Sequence, residues 1–146
     1  MELIALGLRS LGVVPGDKVI LLAENGPWWA MTDYAILSLG AITVPIYTSL
    51  VPEQIKYIIN DSDAKVVVVS DRKLWEKTAE VKKDLPKVAR FVSFETEPAE
   101  GVLPLERIKD EGEKARLDDP RLFETTAKAV KPDDTASIIY TSGTTG

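Results

Sequence analysis

The sequence predicts an α/β layer fold, a largely parallel sheet flanked by helices. Three observations carry this expectation. Short apolar runs alternate with segments of helical period along most of the chain. One run, Val66-Val67-Val68-Val69, is β-branched throughout, as suits a strand buried on both faces. With 45% hydrophobic and 28% charged residues, 146 residues support one globular unit with an apolar core.

The elements follow in order. Residues 2–11 are amphipathic and helical, and Gly12-Val13-Val14-Pro15-Gly16-Asp17 is a turn into a first strand at 18–23. Residues 27–39 form a helix with Pro27 in its first turn and Gly40 as its C-terminal cap. Its expected buried face carries Trp28, Met31, Ala35 and Leu39. A second strand is expected at 43–47, and a helix at 52–60 that buries Ile55, Ile58 and Ile59. The β-branched strand occupies 65–70. Asp71 then opens a more polar helix at 74–85, and a fourth strand follows at 89–94. Residues 95–134 differ in character. Charges crowd 106–119 and prolines stand at 98, 104, 120 and 132, so a charged surface excursion is expected, a solvated helix between loops. A last strand is predicted at 136–141.

Composition excludes several functions. Eighteen basic and 23 acidic side chains give a net charge of -5, which favours neither nucleic acid nor an anionic membrane surface. The chain has no cysteine and no histidine, so disulfides, thiolate nucleophiles and the commonest transition-metal ligands are absent. Any metal would be a hard cation bound through oxygen. No apolar run approaches the roughly 20 residues of a membrane helix, and no secretory leader is legible at the start, which makes the cytoplasm the default compartment and leaves peripheral membrane contact open.

Chemistry is legible only at the end. Thr141-Ser142-Gly143-Thr144-Thr145-Gly146 follows an expected strand directly, which puts it at the carboxyl edge of the sheet, where open α/β sheets bind ligands. Glycines let backbone N–H groups curl into an anion nest, and hydroxyls add rotatable donors. Four hydroxyls and two glycines in six residues suit phosphate oxygens, although such a hexamer alone also reads as a polar turn. It is not a Walker loop, because no lysine follows the last glycine.

With Tyr140 in front, this stretch resembles the opening of the phosphate-loop signature of the acyl-adenylate-forming superfamily, which includes acyl-CoA synthetases, luciferases and peptide-synthetase adenylation domains. Upstream segments agree in order. Leu11 with the turn to Val19 and Ala23-Glu24-Asn25-Gly26-Pro27-Trp28-Trp29 resemble the family, and Gly40-Ala41-Ile42-Thr43-Val44-Pro45-Ile46-Tyr47, Ile55 to Ser62 and Ala64-Lys65 resemble most of all its long-chain fatty acyl-CoA synthetases. Thr48 departs from a usual proline and Val51 from a capping threonine or serine. The resemblance implies that residues 1–146 are the N-terminal part of an AMP-binding domain, ending within the phosphate loop and inactive by themselves. It implies ATP, Mg²⁺ and CoA as cofactors and a carboxylic acid, a fatty acid above all, as substrate. By position, Thr141, Ser142, Gly143, Thr144, Thr145 and Gly146 would hold the β and γ phosphates, Thr144 and Thr145 foremost. No catalytic residue and no metal ligand is assigned within the chain. Two alternatives stay open: a non-catalytic α/β module binding a nucleotide or a partner, and an adenylation domain that loads a carrier protein.

Other conspicuous residues have plainer readings. Trp28 and Trp29 open a helix and are expected to pack in the core. Asp61 and Asp63 read as turn and cap groups beyond a helix end. Tyr140 reads as strand packing and Tyr47 as a loop anchor.

Overall fold

A computed structural model describes residues 1–141. Five strands run β1 (Lys18–Leu22), β2 (Ile42–Pro45), β3 (Val66–Val69), β4 (Arg90–Ser93) and β5 (Leu103–Pro104). Every pairing is parallel and the spatial order is β2-β1-β3-β4-β5. The chain steps from β1 outward to β2, crosses back over β1 to β3 and continues away from it. The helices are α1 (Glu2–Ser10), α2 (Pro27–Ser38), α3 (Pro52–Asp61), α4 (Arg72–Val81), α5 (Leu105–Asp118) and α6 (Leu122–Lys128).

The strands read as continuous apolar runs because both faces are covered. Side chains alternate across a strand, so Val19, Leu21, Val66 and Val68 join one core with Ile4, Leu8, Ala35, Ile36 and Ile108. Their neighbours Ile20, Leu22, Val67 and Val69 join a second core with Ile55, Ile59, Leu74 and Trp75. The molecule is therefore three-layered, with α1, α2 and α5 on one side of the sheet and α3 and α4 on the other. Burying two faces of a strand such as β3 removes four valine side chains from water, on the order of 1.5–3 kcal/mol each.

The segment 95–134 contributes more than surface. Its charged side is solvated, with pairs such as Lys109 to Glu106 at 2.8 Å and Arg107 to Glu111 at 3.2 Å. Its apolar stripe is core: Leu105 and Ile108 are buried, and β5 extends the sheet beyond β4. Gly7 and Gly112 let α1 and α5 touch backbone to backbone, since a Cβ on Gly7 would collide with the Ile108 carbonyl and one on Gly112 with that of Leu3.

Two expectations need correction. Of the face expected on α2, Ala35 and Leu39 are buried beside Thr32 and Ile36 and Met31 packs against the core, while Trp28 is 39% exposed beneath the Lys109 ammonium, 5.3 Å from the ring centroid. Of the two tryptophans, only Trp29 packs against the core. The predicted strand at 136–141 is a single bridge. Ser137 pairs with Thr43 in parallel register: Thr43 N–H donates to Ala136 O and Ile138 N–H to Thr43 O, both at 3.0 Å. The next outward donor on β2 would be Pro45, which has no N–H, so the ladder stops there.

Candidate functional site

The candidate site lies at the carboxyl edge of the sheet, on the outer side of β2. Parallel register from the Ser137–Thr43 bridge carries Thr141 alongside Tyr47, just past the end of β2. Thr141 is exposed there, and Tyr47, Leu50, Tyr57, Tyr140 and Thr141 border an open hollow of about 470 Å³. Ser142, Gly143, Thr144, Thr145 and Gly146 lie outside the described residues.

The approach to Thr141 is fixed by side chains. Ile138 and Tyr140 pack against the core formed by α3 and α4. The Tyr140 ring meets Tyr57 edge to face, centroids 6.4 Å apart, and its hydroxyl donates to Asp61 Oδ2 at 2.6 Å. Burial, then the hydrogen bond to the Asp61 carboxylate and its negative charge, push the Tyr140 phenol up to about 12. Asp61, expected as a turn group, thus carries a long-range contact 79 residues away in sequence. Asp63 does serve the turn. It adopts φ of 57° just after α3, where its N–H reaches Asn60 O and the next N–H reaches Ile59 O. Its carboxylate pairs with Lys87 at 2.6 Å, a hydrogen bond that holds it below the usual carboxylate range.

The loop between β2 and α3 borders the same hollow. Lys77 on α4 donates to the carbonyls of Thr48 at 2.8 Å and Leu50 at 3.1 Å, which pins the stretch that lacks the family's proline. Val51 precedes α3 with no acceptor to offer. Half of a capping box remains, as Val51 N–H donates to Gln54 Oε1 at 3.3 Å. Tyr47, expected as a loop anchor, is 66% exposed and its side chain makes no hydrogen bond among the described residues, while its carbonyl accepts from Leu50 N–H at 3.1 Å.

The crevice between the carboxyl ends of β1 and β3, where the strand order reverses, is the usual ligand position in such sheets. Here it is bridged: Glu24 N–H donates to the Ser70 hydroxyl at 3.2 Å, and that hydroxyl donates to Asp71 at 2.7 Å. Asp71 also caps α4 by accepting from Leu74 N–H at 3.0 Å. Polar groups at this crevice satisfy one another, and the outer side of β2 is the edge along which the chain runs to Thr141.

Thr141 supplies one hydroxyl at the edge where phosphates would sit. Mg²⁺ needs several oxygen ligands, and among the described residues no three His, Cys, Asp or Glu side chains come together. No helix among the described residues is long and apolar enough to cross a membrane.

The fold is a parallel α/β sheet covered by helices on both faces, and Tyr140 and Thr141 lie at its carboxyl edge. The chain belongs to the AMP-binding enzyme family, which it matches over residues 1–146. It is 35% identical over 142 residues to the long-chain-fatty-acid–CoA ligase FadD15 of Mycobacterium bovis, covering 97% of this chain and 23% of that protein. Among solved structures it is similar to the anthranilate CoA ligase AuaEII in complex with anthranoyl-AMP, at 27% identity and a TM-score of 0.80 over 99% of this chain and 25% of that one. The long-chain-fatty-acid-CoA ligase FadD1 from Archaeoglobus fulgidus gives 27% identity and 0.77 over 99% and 26%. The chain thus spans about a quarter of the length of these relatives.

Proposed function

We propose that residues 1–146 supply the first part of the AMP-binding domain of an enzyme that activates a carboxylic acid with ATP. The acid, a fatty acid, becomes an acyl-adenylate with release of pyrophosphate and is then passed to CoA. The observation that carries this reading is the family match through the whole chain, whose sequence includes the Tyr140 to Gly146 signature, with Tyr140 and Thr141 at the carboxyl edge of the sheet. The preference for a fatty acid rests on the similarity to a long-chain-fatty-acid–CoA ligase.

As a carboxylate attacks the α-phosphate, negative charge builds on the departing pyrophosphate and requires donors and Mg²⁺. Thr141, Ser142, Gly143, Thr144, Thr145 and Gly146 would hold the β and γ phosphates, with the hydroxyls of Thr144 and Thr145 foremost. Mg²⁺ would neutralise the same oxygens. The cytoplasm, which supplies ATP and CoA, is the proposed compartment, and a net charge of -5 speaks against nucleic acid as a partner.

The reading is tested by Thr144→Ala and Thr145→Ala in the full-length enzyme. Losing a charge-assisted donor to a phosphate is expected to lower kcat/KM for ATP by about tenfold or more. Unchanged ATP kinetics in both variants would sink the assignment. The 146 residues alone are expected to be inactive and to bind ATP weakly or not at all, because a partial nest offers too little charge to offset lost freedom. Micromolar ATP binding by calorimetric titration would contradict that expectation.

A further inference from the structure

The stretch leading to the phosphate loop has an unusual support. Thr43 makes the only two backbone bonds recorded between β2 and residues 136–141, and Pro45 ends the ladder before Ile138 O can be used. Past that point, the described contacts are those of side chains. Ile138 and Tyr140 turn into the core beneath, Tyr57 meets the Tyr140 ring, and the Tyr140 hydroxyl reaches Asp61 at the end of α3. A phenol donating to a carboxylate at 2.6 Å is a short, charge-assisted bond. It sits one residue before Thr141, so a shift of Tyr140 is passed directly to the start of the loop.

We infer that Asp61 and Tyr140 are positioning residues, a latch that replaces the missing backbone ladder and sets where the phosphate loop leaves the sheet. The inference rests on the phosphate-loop reading above for its catalytic consequence, but the latch itself is a claim about residues 136–141. Neither side chain touches ATP in this account. Asp61 acts through Tyr140, and Tyr140 acts through the backbone that follows it.

The experiment is hydrogen exchange and steady-state kinetics on the full-length protein and on Asp61→Ala, Tyr140→Phe, the double variant and Asp61→Asn. The Ile138 amide, bonded to Thr43 O, reports whether the segment is seated, and the Val67 amide in the central strand serves as control. Losing a hydrogen bond to a charged group should speed Ile138 exchange about tenfold in either single variant, with Val67 unchanged. The double variant should be no faster than the singles, because the two groups form one contact. Asp61→Asn, whose amide oxygen still accepts from the phenol, should restore most of the protection. In kinetics, KM for ATP should rise about tenfold in Asp61→Ala and Tyr140→Phe while KM for the acid stays put. Unchanged Ile138 exchange, additive effects in the double variant, or equal acceleration at Val67 would overturn the latch. An active enzyme whose ATP KM ignores both substitutions would overturn its positioning role. If the wild-type protein turns over ATP with no acid, the proposed function fails, and the exchange data still decide the latch.

Discussion

The contact between α1 and α5 and the contact between β2 and residues 136–141 are opposite ways of holding chain segments together. The helices meet backbone to backbone at Gly7 and Gly112 over a continuous apolar layer, with Ile4, Leu8 and Ile108 buried. Residues 136–141 are held by one bridge to β2, by a phenol–carboxylate bond to the end of α3, and by the packing of Ile138 and Tyr140. The helical contact has no slack, since interiors are close-packed and cannot absorb an added methyl group. The edge contact is made of a few separable interactions. Substitutions on the two sides should therefore fail differently, the first by unfolding the scaffold and the second by loosening the approach to the loop.

The largest expected effect is at the glycines. Gly112→Ala drives a methyl group into the Leu3 carbonyl and Gly7→Ala one into that of Ile108, and each should cost about 3 kcal/mol in denaturant unfolding. A loss below about 1 kcal/mol would show that the helices can separate and would blur the contrast. A smaller effect is expected at Asp71, where Ala removes the cap of α4 and should cost about 1 kcal/mol by the same measurement. Val51→Thr works in the other direction. It supplies the acceptor that α3 lacks and should raise stability by about 0.5–1 kcal/mol, and no gain would mean that the Gln54 half of the box already suffices.

The smallest effect is a titration. Among four tyrosines, Tyr140 should ionise near 12 rather than near its ordinary 10.0, visible as a late step in ultraviolet titration that Asp61→Ala moves down. Because the folded value is raised, the latch's contribution to stability is fully present below pH 10 and is lost as pH rises towards about 12. A late step that Asp61→Ala leaves in place would contradict the hold of Asp61 on the phenol.

Much of the scaffold was legible because its signals are local. Val66–Val69 announces a strand covered on both faces, Asp71 a cap, and Ile55, Ile58 and Ile59 one face of a helix. The tertiary contacts carried no such local signal. β5 is two residues long and contains a proline, so no period betrays it. On α2, Ala35 and Leu39 are buried as their spacing suggested, whereas Trp28 meets Lys109 of another helix, a partner no local pattern reveals. Ala136 to Tyr140 reads as a strand by composition, yet its ladder is limited by Pro45, a residue some ninety positions earlier whose missing N–H matters only once register is known. Asp61 looked like a turn group for the same reason: its partner is distant in sequence, and helix-end chemistry explained it well enough. The phosphate-loop reading rests on residue types, glycines and hydroxyls, and all of it but Thr141 lies outside the described residues.

The most direct measurement is exchange of labelled pyrophosphate into ATP by the full-length protein, with and without a panel of carboxylic acids. Reversible adenylation predicts label in ATP only when an acid is present, strongest with long-chain fatty acids and sharply reduced by Thr144→Ala. Exchange with no acid, or none with any acid tried, would contradict it.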